Sequence, residues 1–195
     1  LVTGDYSNTV RRVPVIRTYA DGTEDWKRDI TTAGVYDDGS WVTETADGDI
    51  VVAGGLDADL AFIGLTASGF TDWSTRHGAS SLDRALAAAV TPDGGYVATG
   101  ITIPEEGGND RLYVVKADDR GRLEWERTFG TATYYEEGHG IVALADGSYV
   151  VLGYTTEGNH AWLFKLGPNS VPVAAFEWDP VEPVSGQPVV FDGTG

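Results

Sequence analysis

Hydrophobic residues recur along the chain in short runs that alternate with polar residues and are broken by tight turns. The clearest four runs occupy residues 85–91, 95–102, 111–117 and 122–129. They are rich in Val, Ile, Tyr and Trp, which suit a pleated, half-buried surface, and the breaks carry the Gly and Asp of tight reversals. No stretch combines helix caps with a long 3.6-residue apolar period. The pattern predicts an all-β fold made of four-stranded units.

The same unit recurs several times along the chain. The segments ADGDIVVAG, PDGGYVATG and ADGSYVVLG end at Gly54, Gly100 and Gly153, so that the closing glycines are 46 and 53 residues apart. The opening LVTG at residues 1–4 matches the end of a further copy. Self-similarity at a period of this length is the signature of a repeat architecture.

A second marker keeps the same period. A glycine precedes a tryptophan by four residues in each unit, which gives Trp26, Trp73 and Trp125, spaced by 47 and 52 residues. An exposed ring in this position would suit the stacking of sugars. Identical placement in every unit instead favours packing of one unit against the next, because repeat units share a core. These tryptophans and the closing glycines are the predicted structural markers of the repeat.

Four strands in every 47 to 52 residues are typical of one blade of a β-propeller. The predicted units span residues 1–30, 31–78, 79–130 and 131–170 and hold three, four, four and three strands, or about three and a half blades. This number closes no ring of four-stranded blades. We therefore expect either a fragment of a longer protein or closure against another copy.

The best-preserved unit carries a family resemblance. DGGYVATG, a Val-Val-Lys strand and GRLEWERTFG resemble the blades of secreted bacterial and archaeal β-propeller repeat proteins. Lys116 and Lys165 occupy the lysine position of that pattern, whereas Arg17 and Gly64 replace it in the other units. The resemblance extends from residue 1 to about residue 167. It implies an architecture and no activity, because propellers host many unrelated functions.

The composition changes from Val171 onward, where four of the eight prolines fall and Lys and Arg are absent. The segments 172–176 and 185–192 resemble the first two strands of a polycystic-kidney-disease (PKD) domain, an immunoglobulin-like sandwich common on archaeal and bacterial surface proteins. Because that fold needs about 100 residues, residues 171–195 are predicted to be the start of an incomplete domain. The alternative is that this tail donates a strand to a neighbouring subunit.

Acidic residues dominate the charge. Thirty Asp and Glu against thirteen Lys and Arg give a net charge of -17, and only three of the basic residues are lysines. Such a chain is unsuited to nucleic acid or anionic lipid, and no apolar run is long enough for membrane insertion. Concentrated salt would screen the self-repulsion, which favours a halophilic, haloarchaeal source. An ordinary acidic secreted protein and a calcium-loaded one are the alternatives.

The sequence offers few groups for catalysis. The chain has no cysteine, and its three histidines, His77, His139 and His160, lack zinc-type spacing. Adjacent acidic pairs such as those at 37–38, 105–106, 118–119 and 136–137 are read as solvated surface. Asp57 and Asp59 alternate as calcium ligands do but lack the rest of an EF-hand loop. We predict no catalytic or metal residues and no cofactor, calcium being the one cation with a partial match.

These features together predict a non-enzymatic protein of the extracellular space or cell surface. It would act as a scaffold or in adhesion through propeller surfaces, with strand exchange building a filament or envelope layer. The expected partners are other protein subunits or cell-envelope components, with polysaccharide as a further ligand. The alternative is a substrate-binding accessory region of a secreted hydrolase whose catalytic domain lies outside this chain.

Overall fold

The computed structural model describes residues 12–30, 37–104, 107–131 and 133–168. Within these ranges it contains thirteen β-strands and no helix, and accordingly no helix that could span a membrane. The prediction of an all-β fold is therefore confirmed. The strands are β1 (Val13–Thr18), β2 (Glu24–Ile30), β3 (Asp38–Glu44), β4 (Ile50–Leu56), β5 (Asp59–Leu65), β6 (Thr71–His77), β7 (Leu82–Val90), β8 (Tyr96–Ile103), β9 (Arg111–Ala117), β10 (Leu123–Phe129), β11 (Glu136–Ala143), β12 (Tyr149–Thr155) and β13 (His160–Leu166).

The strands form four antiparallel sheets in which each strand pairs with the next one along the chain. The first sheet is β1–β2, the second β3–β6, the third β7–β10 and the fourth β11–β13. Each sheet lies inside one of the four predicted sequence units. The further strand expected near residues 1–6 and the PKD-like segment of residues 171–195 lie outside the described residues.

Tight turns connect the strands, and their residues explain why the chain reverses there. Gly94, between β7 and β8, has φ of +87°, a left-handed conformation that a side chain rarely adopts. Asp57 and Ala58 form a two-residue turn between β4 and β5 with φ of 56° and 70°. Positive φ at both central residues matches the twist of an antiparallel hairpin.

The core consists of three hydrophobic clusters, each of which lies between two consecutive sheets. In β4, Val51 and Ala53 face the third sheet, whereas Ile50 and Val52 face the first. The internal sheets therefore bury both faces, which is why their central strands read as continuous apolar runs. None of the clusters of described residues joins the fourth sheet to the first, so a closed ring is not formed by these residues.

The closing glycines face an irregularity in the first strand of each unit. Gly54, Gly100 and Gly153 pair with the residue that precedes a β-bulge in β3, β7 and β11. A Cβ on Gly153 would lie 2.8 Å from the carbonyl oxygen of Glu137, and at the other two glycines it would overlap a backbone carbonyl. The first strand thus passes too close for any side chain at this position.

Candidate assembly surface

The predicted tryptophan markers lie between consecutive sheets. The indole of Trp26, in the first sheet, covers Gly69 in the β5–β6 turn of the second, where a Cβ would lie 2.8 Å from Cζ3. Its Nε1–H donates to the carbonyl of Ala67 in that same turn, at 3.2 Å. Trp73 covers Gly121 in the β9–β10 turn of the third sheet in the same way. The glycine and tryptophan markers of adjacent units therefore meet each other.

At the interface between the third and fourth sheets, the tryptophan packs against an aromatic ring of the next unit and not against a turn glycine. Trp125 packs edge-on against Tyr149 of the fourth sheet, with ring centroids 5.6 Å apart. Trp73 lies next to the equivalent residue of the third sheet, Tyr96, with ring centroids 6.2 Å apart. All three tryptophans are partly buried at sheet interfaces.

The residue opposite each tryptophan differs from unit to unit. Lys116, opposite Trp125, is buried, and its Nζ lies 3.1 Å from Asp93 and 2.9 Å from Glu124. Burial lowers the pKa of Lys116, but its hydrogen bonds to these two carboxylates outweigh the effect and leave the pKa above its usual value. Lys165, the matching residue of the fourth sheet, is exposed and pairs with Asp146 at 3.2 Å.

A recurring buried carboxylate was missed at the level of sequence. Three acidic residues lie at the start of the first strand of the second, third and fourth sheets, and each is almost completely buried: Asp37 directly before β3, Asp83 as the second residue of β7, and Glu136 as the first residue of β11. A signal for them exists in the sequence, because each stands 17 residues before the closing glycine of its unit. The adjacent acidic pairs at 37–38 and 136–137 were predicted to be solvated surface. That prediction is wrong for the first residue of each pair, Asp37 and Glu136, because both are buried.

At Asp83 and Glu136 the backbone fastens the start of one sheet to the sheet before it. The backbone N–H of Asp83 donates to the carbonyl of Ala58 at 2.7 Å, and that of Glu136 donates to Asp110 at 2.8 Å. The Asp83 carboxylate accepts the N–H of Ser80 at 3.2 Å. Burial raises the pKa of both Asp83 and Glu136. The arrangement is a repeated structural joint, since each acid is engaged by neighbouring backbone.

The histidines do not come together as a site. The Nε2–H of His77 donates to the carbonyl of Gly121 at 2.8 Å, and burial lowers the pKa of its ring, so His77 supports the interface between the second and third sheets. His139 lies in the bulge of β11 and contacts Glu137 at 2.9 Å, whereas His160 is exposed at the start of β13. Within the described residues no three His, Asp or Glu side chains are arranged to hold a metal ion.

The partial calcium motif is occupied by a cation of the protein itself. The carboxylate of Asp57 lies 2.9 Å from Nη1 of Arg76, and that of Asp59 lies 3.9 Å from its Nε. A guanidinium between two carboxylates repels a further cation and uses the oxygens that would bind it. This turn therefore gives calcium no support beyond the alternating spacing.

One face of the fourth sheet differs from its counterparts in the other sheets. The third strand of each unit carries an apolar residue that points toward the next sheet: Val15, Phe62, Val114 and Leu163. The first three are buried in the three sheet interfaces, whereas Leu163 is 46% exposed. The second strand shows the same contrast, because Leu152 is 47% exposed where the matching Ala53 is fully buried.

We call this face the outer face of the fourth sheet. Its apolar residues are Val142, Val150, Leu152, Tyr154, Ala161 and Leu163, on β11, β12 and β13, and the register places Lys165 on the same face, opposite Val150. Apolar surface of this kind is buried at every other sheet of the series. A contiguous apolar patch exposed on a protein surface marks a site of interaction, so this face is the candidate functional surface.

Comparison with known proteins does not assign the chain to a family. No protein-family model matches the chain, and no curated protein matches it.

Proposed function

We propose that the four sheets are blades of a β-propeller-type repeat and that the chain is a non-enzymatic scaffold or adhesion protein of the cell surface or extracellular space. The observation that carries the proposal is the outer face of the fourth sheet, with Leu163 and Leu152 exposed where the other sheets bury their counterparts. An apolar face that stays exposed on one sheet of such a series is suited to docking against another protein surface.

The repeated interface supports a structural role. The same register positions recur at all three interfaces, and a tryptophan covers a turn glycine at the first two. The backbone N–H groups of Asp83 and Glu136 donate to the sheet before them. Repetition of this kind builds a series of units in which each contacts only its neighbours. Such a series provides surface and rigidity, and the features that recur from unit to unit serve packing rather than chemistry.

The charge of the chain supports the proposed surroundings. A net charge of -17 opposes compaction and association at low ionic strength, whereas concentrated salt screens it. Apolar docking is retained under such conditions because exclusion of salts from apolar surface favours its burial. An acidic coat around an apolar docking face is thus compatible with assembly in a saline exterior, and the PKD-like tail points to the same surroundings.

Localisation in the source organism tests the proposal directly. Antibodies against the chain are expected to label intact cells or the material shed from them. Labelling that requires lysis would contradict a surface role. Retention of the purified chain on insoluble polysaccharide in concentrated salt would add carbohydrate to its ligands and favour the accessory role beside a hydrolase.

A further inference from the structure

We infer that the outer face of the fourth sheet binds the first sheet of a second copy of this chain, in a head-to-tail contact. The inference rests on the proposed scaffold function and names its partner. Its basis is continuity with an interface that the chain already forms three times, between the first and second, second and third, and third and fourth sheets. In each of these interfaces, the earlier sheet contributes the face that corresponds to the outer face of the fourth sheet.

We call the face of a sheet that packs against the preceding sheet its receiving face. The first sheet also has such a face, and its residues can be identified from their positions in the repeat. In the second and third sheets the receiving residue of the third strand is Ile63 or Val115, and both are buried. In the fourth sheet it is Phe164, which packs on Phe129 of the third sheet with ring centroids 4.9 Å apart. The equivalent residue of the first sheet is Ile16, which lies beside Arg17 as Val115 lies beside Lys116, and it stays half-exposed.

Charge distinguishes this pairing from a back-to-back contact of two fourth sheets. Residues 1–30 contain five basic and five acidic residues, whereas residues 131–170 contain four acidic residues and one lysine. A back-to-back contact would bring two net-negative units together. The head-to-tail contact instead sets a negative unit against a neutral one that holds five of the thirteen basic residues of the chain.

The number of sheets in two copies of the chain also favours the head-to-tail contact. A head-to-tail contact is heterologous, and such contacts close into rings when the rotation between units allows it. Two copies of four sheets provide eight, which lies within the range of about 4 to 8 blades known for β-propellers. The contact therefore extends the internal arrangement of the chain without a new type of interface.

Single cysteines test the contact, because the chain has none of its own. The full-length variants Ile16→Cys and Leu163→Cys are prepared separately, checked for folding by circular dichroism, and treated with a short bifunctional maleimide in molar KCl. We expect a covalent dimer when the two variants are mixed and little when either is treated alone. Light scattering of the untreated chain is expected to give twice the monomer mass or more.

Other occupants of the face give different results, and each would overturn the inference. Efficient cross-linking of Leu163→Cys with itself would show a back-to-back contact. If the chain stayed monomeric at all protein and salt concentrations, a second copy could not be the partner of this face. A monomeric Leu163→Cys variant whose thiol resists a thiol reagent would show that another part of the same chain covers the face.

A charged substitution provides a second, independent measurement. Leu163→Asp is expected to weaken self-association at least about tenfold, because a buried leucine is worth more than the 1.4 kcal/mol that a factor of ten requires. Leu123→Asp is the matched control, since Leu123 is 48% exposed but lies outside the outer face. Equal effects of the two variants would refute the assigned surface.

The two proposals fail in distinguishable ways. Loss of self-association with surface labelling of intact cells would leave the scaffold function in place and remove the second copy as its partner. Labelling confined to lysed cells, together with the expected cross-link, would retain the contact and remove the proposed location.

Discussion

The six-membered ring of Trp73 in the second sheet lies over Gly121 in the third, so that a Cβ on that glycine would come within 2.5 Å of Cζ3. The same relationship joins Trp26 to Gly69 one sheet earlier, at 2.8 Å. Each turn glycine therefore has two tasks. It supplies a left-handed turn, and it leaves space for the indole of the preceding sheet.

We expect Gly121→Ala to destabilise the protein by about 2–4 kcal/mol, measured by denaturant unfolding in molar KCl. Gly94→Ala is the matched control: its φ of +87° resembles the +73° of Gly121, but a Cβ there would meet nothing within 4 Å. The control should lose only about 1 kcal/mol, the cost of the left-handed backbone. Equal losses would show that the contact with Trp73 has no energetic weight.

Removal of the buried lysine is expected to cost far more than removal of its exposed counterpart. Lys116→Ala leaves a cavity and takes a cation from two carboxylates, which predicts a loss of about 2–4 kcal/mol. Lys165→Ala removes an exposed ion pair at the same repeat position and should cost about 0–1 kcal/mol. Comparable unfolding midpoints for the two variants would contradict the structural difference between these sites.

The buried Asp83 makes stability fall as pH rises. Its folded pKa lies above the unfolded value of about 4, so the folded state binds the proton more tightly and loses stability as the pH rises through the folded pKa. Asp83→Asn should therefore gain stability relative to the natural chain as pH increases from about 4. Unfolding free energies measured across this pH range provide the test, and a difference that is constant with pH would contradict it.

Asp146→Asn is the control of opposite sign. The hydroxyl of Ser148, with further help from Lys165, holds the pKa of Asp146 at about 2. Its contribution to stability is present above the unfolded pKa and is lost as the pH falls toward 2. The variant should consequently lose stability relative to the natural chain as the pH rises from about 2 to about 4.

Salt is expected to stabilise the folded chain. Raising KCl from about 0.1 M to about 1 M shortens the Debye length from about 10 Å to about 3 Å and weakens the repulsion behind the net charge of -17. The thermal midpoint should rise over this interval. A midpoint that is flat or falls would show that ion pairs such as that of Arg120 with Asp72 outweigh the repulsion.

The sequence was sufficient to predict the strand pattern because turn residues and alternation are local signals. The predicted runs at 111–117 and 122–129 correspond to β9 and β10 within one residue. The role of Trp73 also followed from spacing, whereas its partner Gly121 did not, since a contact between adjacent units requires the packing of whole sheets. The burial of Asp83 was missed because a carboxylate beside an arginine looks like solvated surface until the preceding sheet covers it.

The contact between a tryptophan of one sheet and a glycine of the next has a consequence for inheritance. Every unit that carries both markers offers its glycine backward and its tryptophan forward, as the unit of Gly69 and Trp73 does. If that unit were duplicated or deleted as a whole, the units on either side would still bring a tryptophan against a turn glycine, because Trp26 would meet Gly121 after the deletion. Repeat number can therefore change there in a single genetic event while the tryptophan–glycine contact is kept at the new junction.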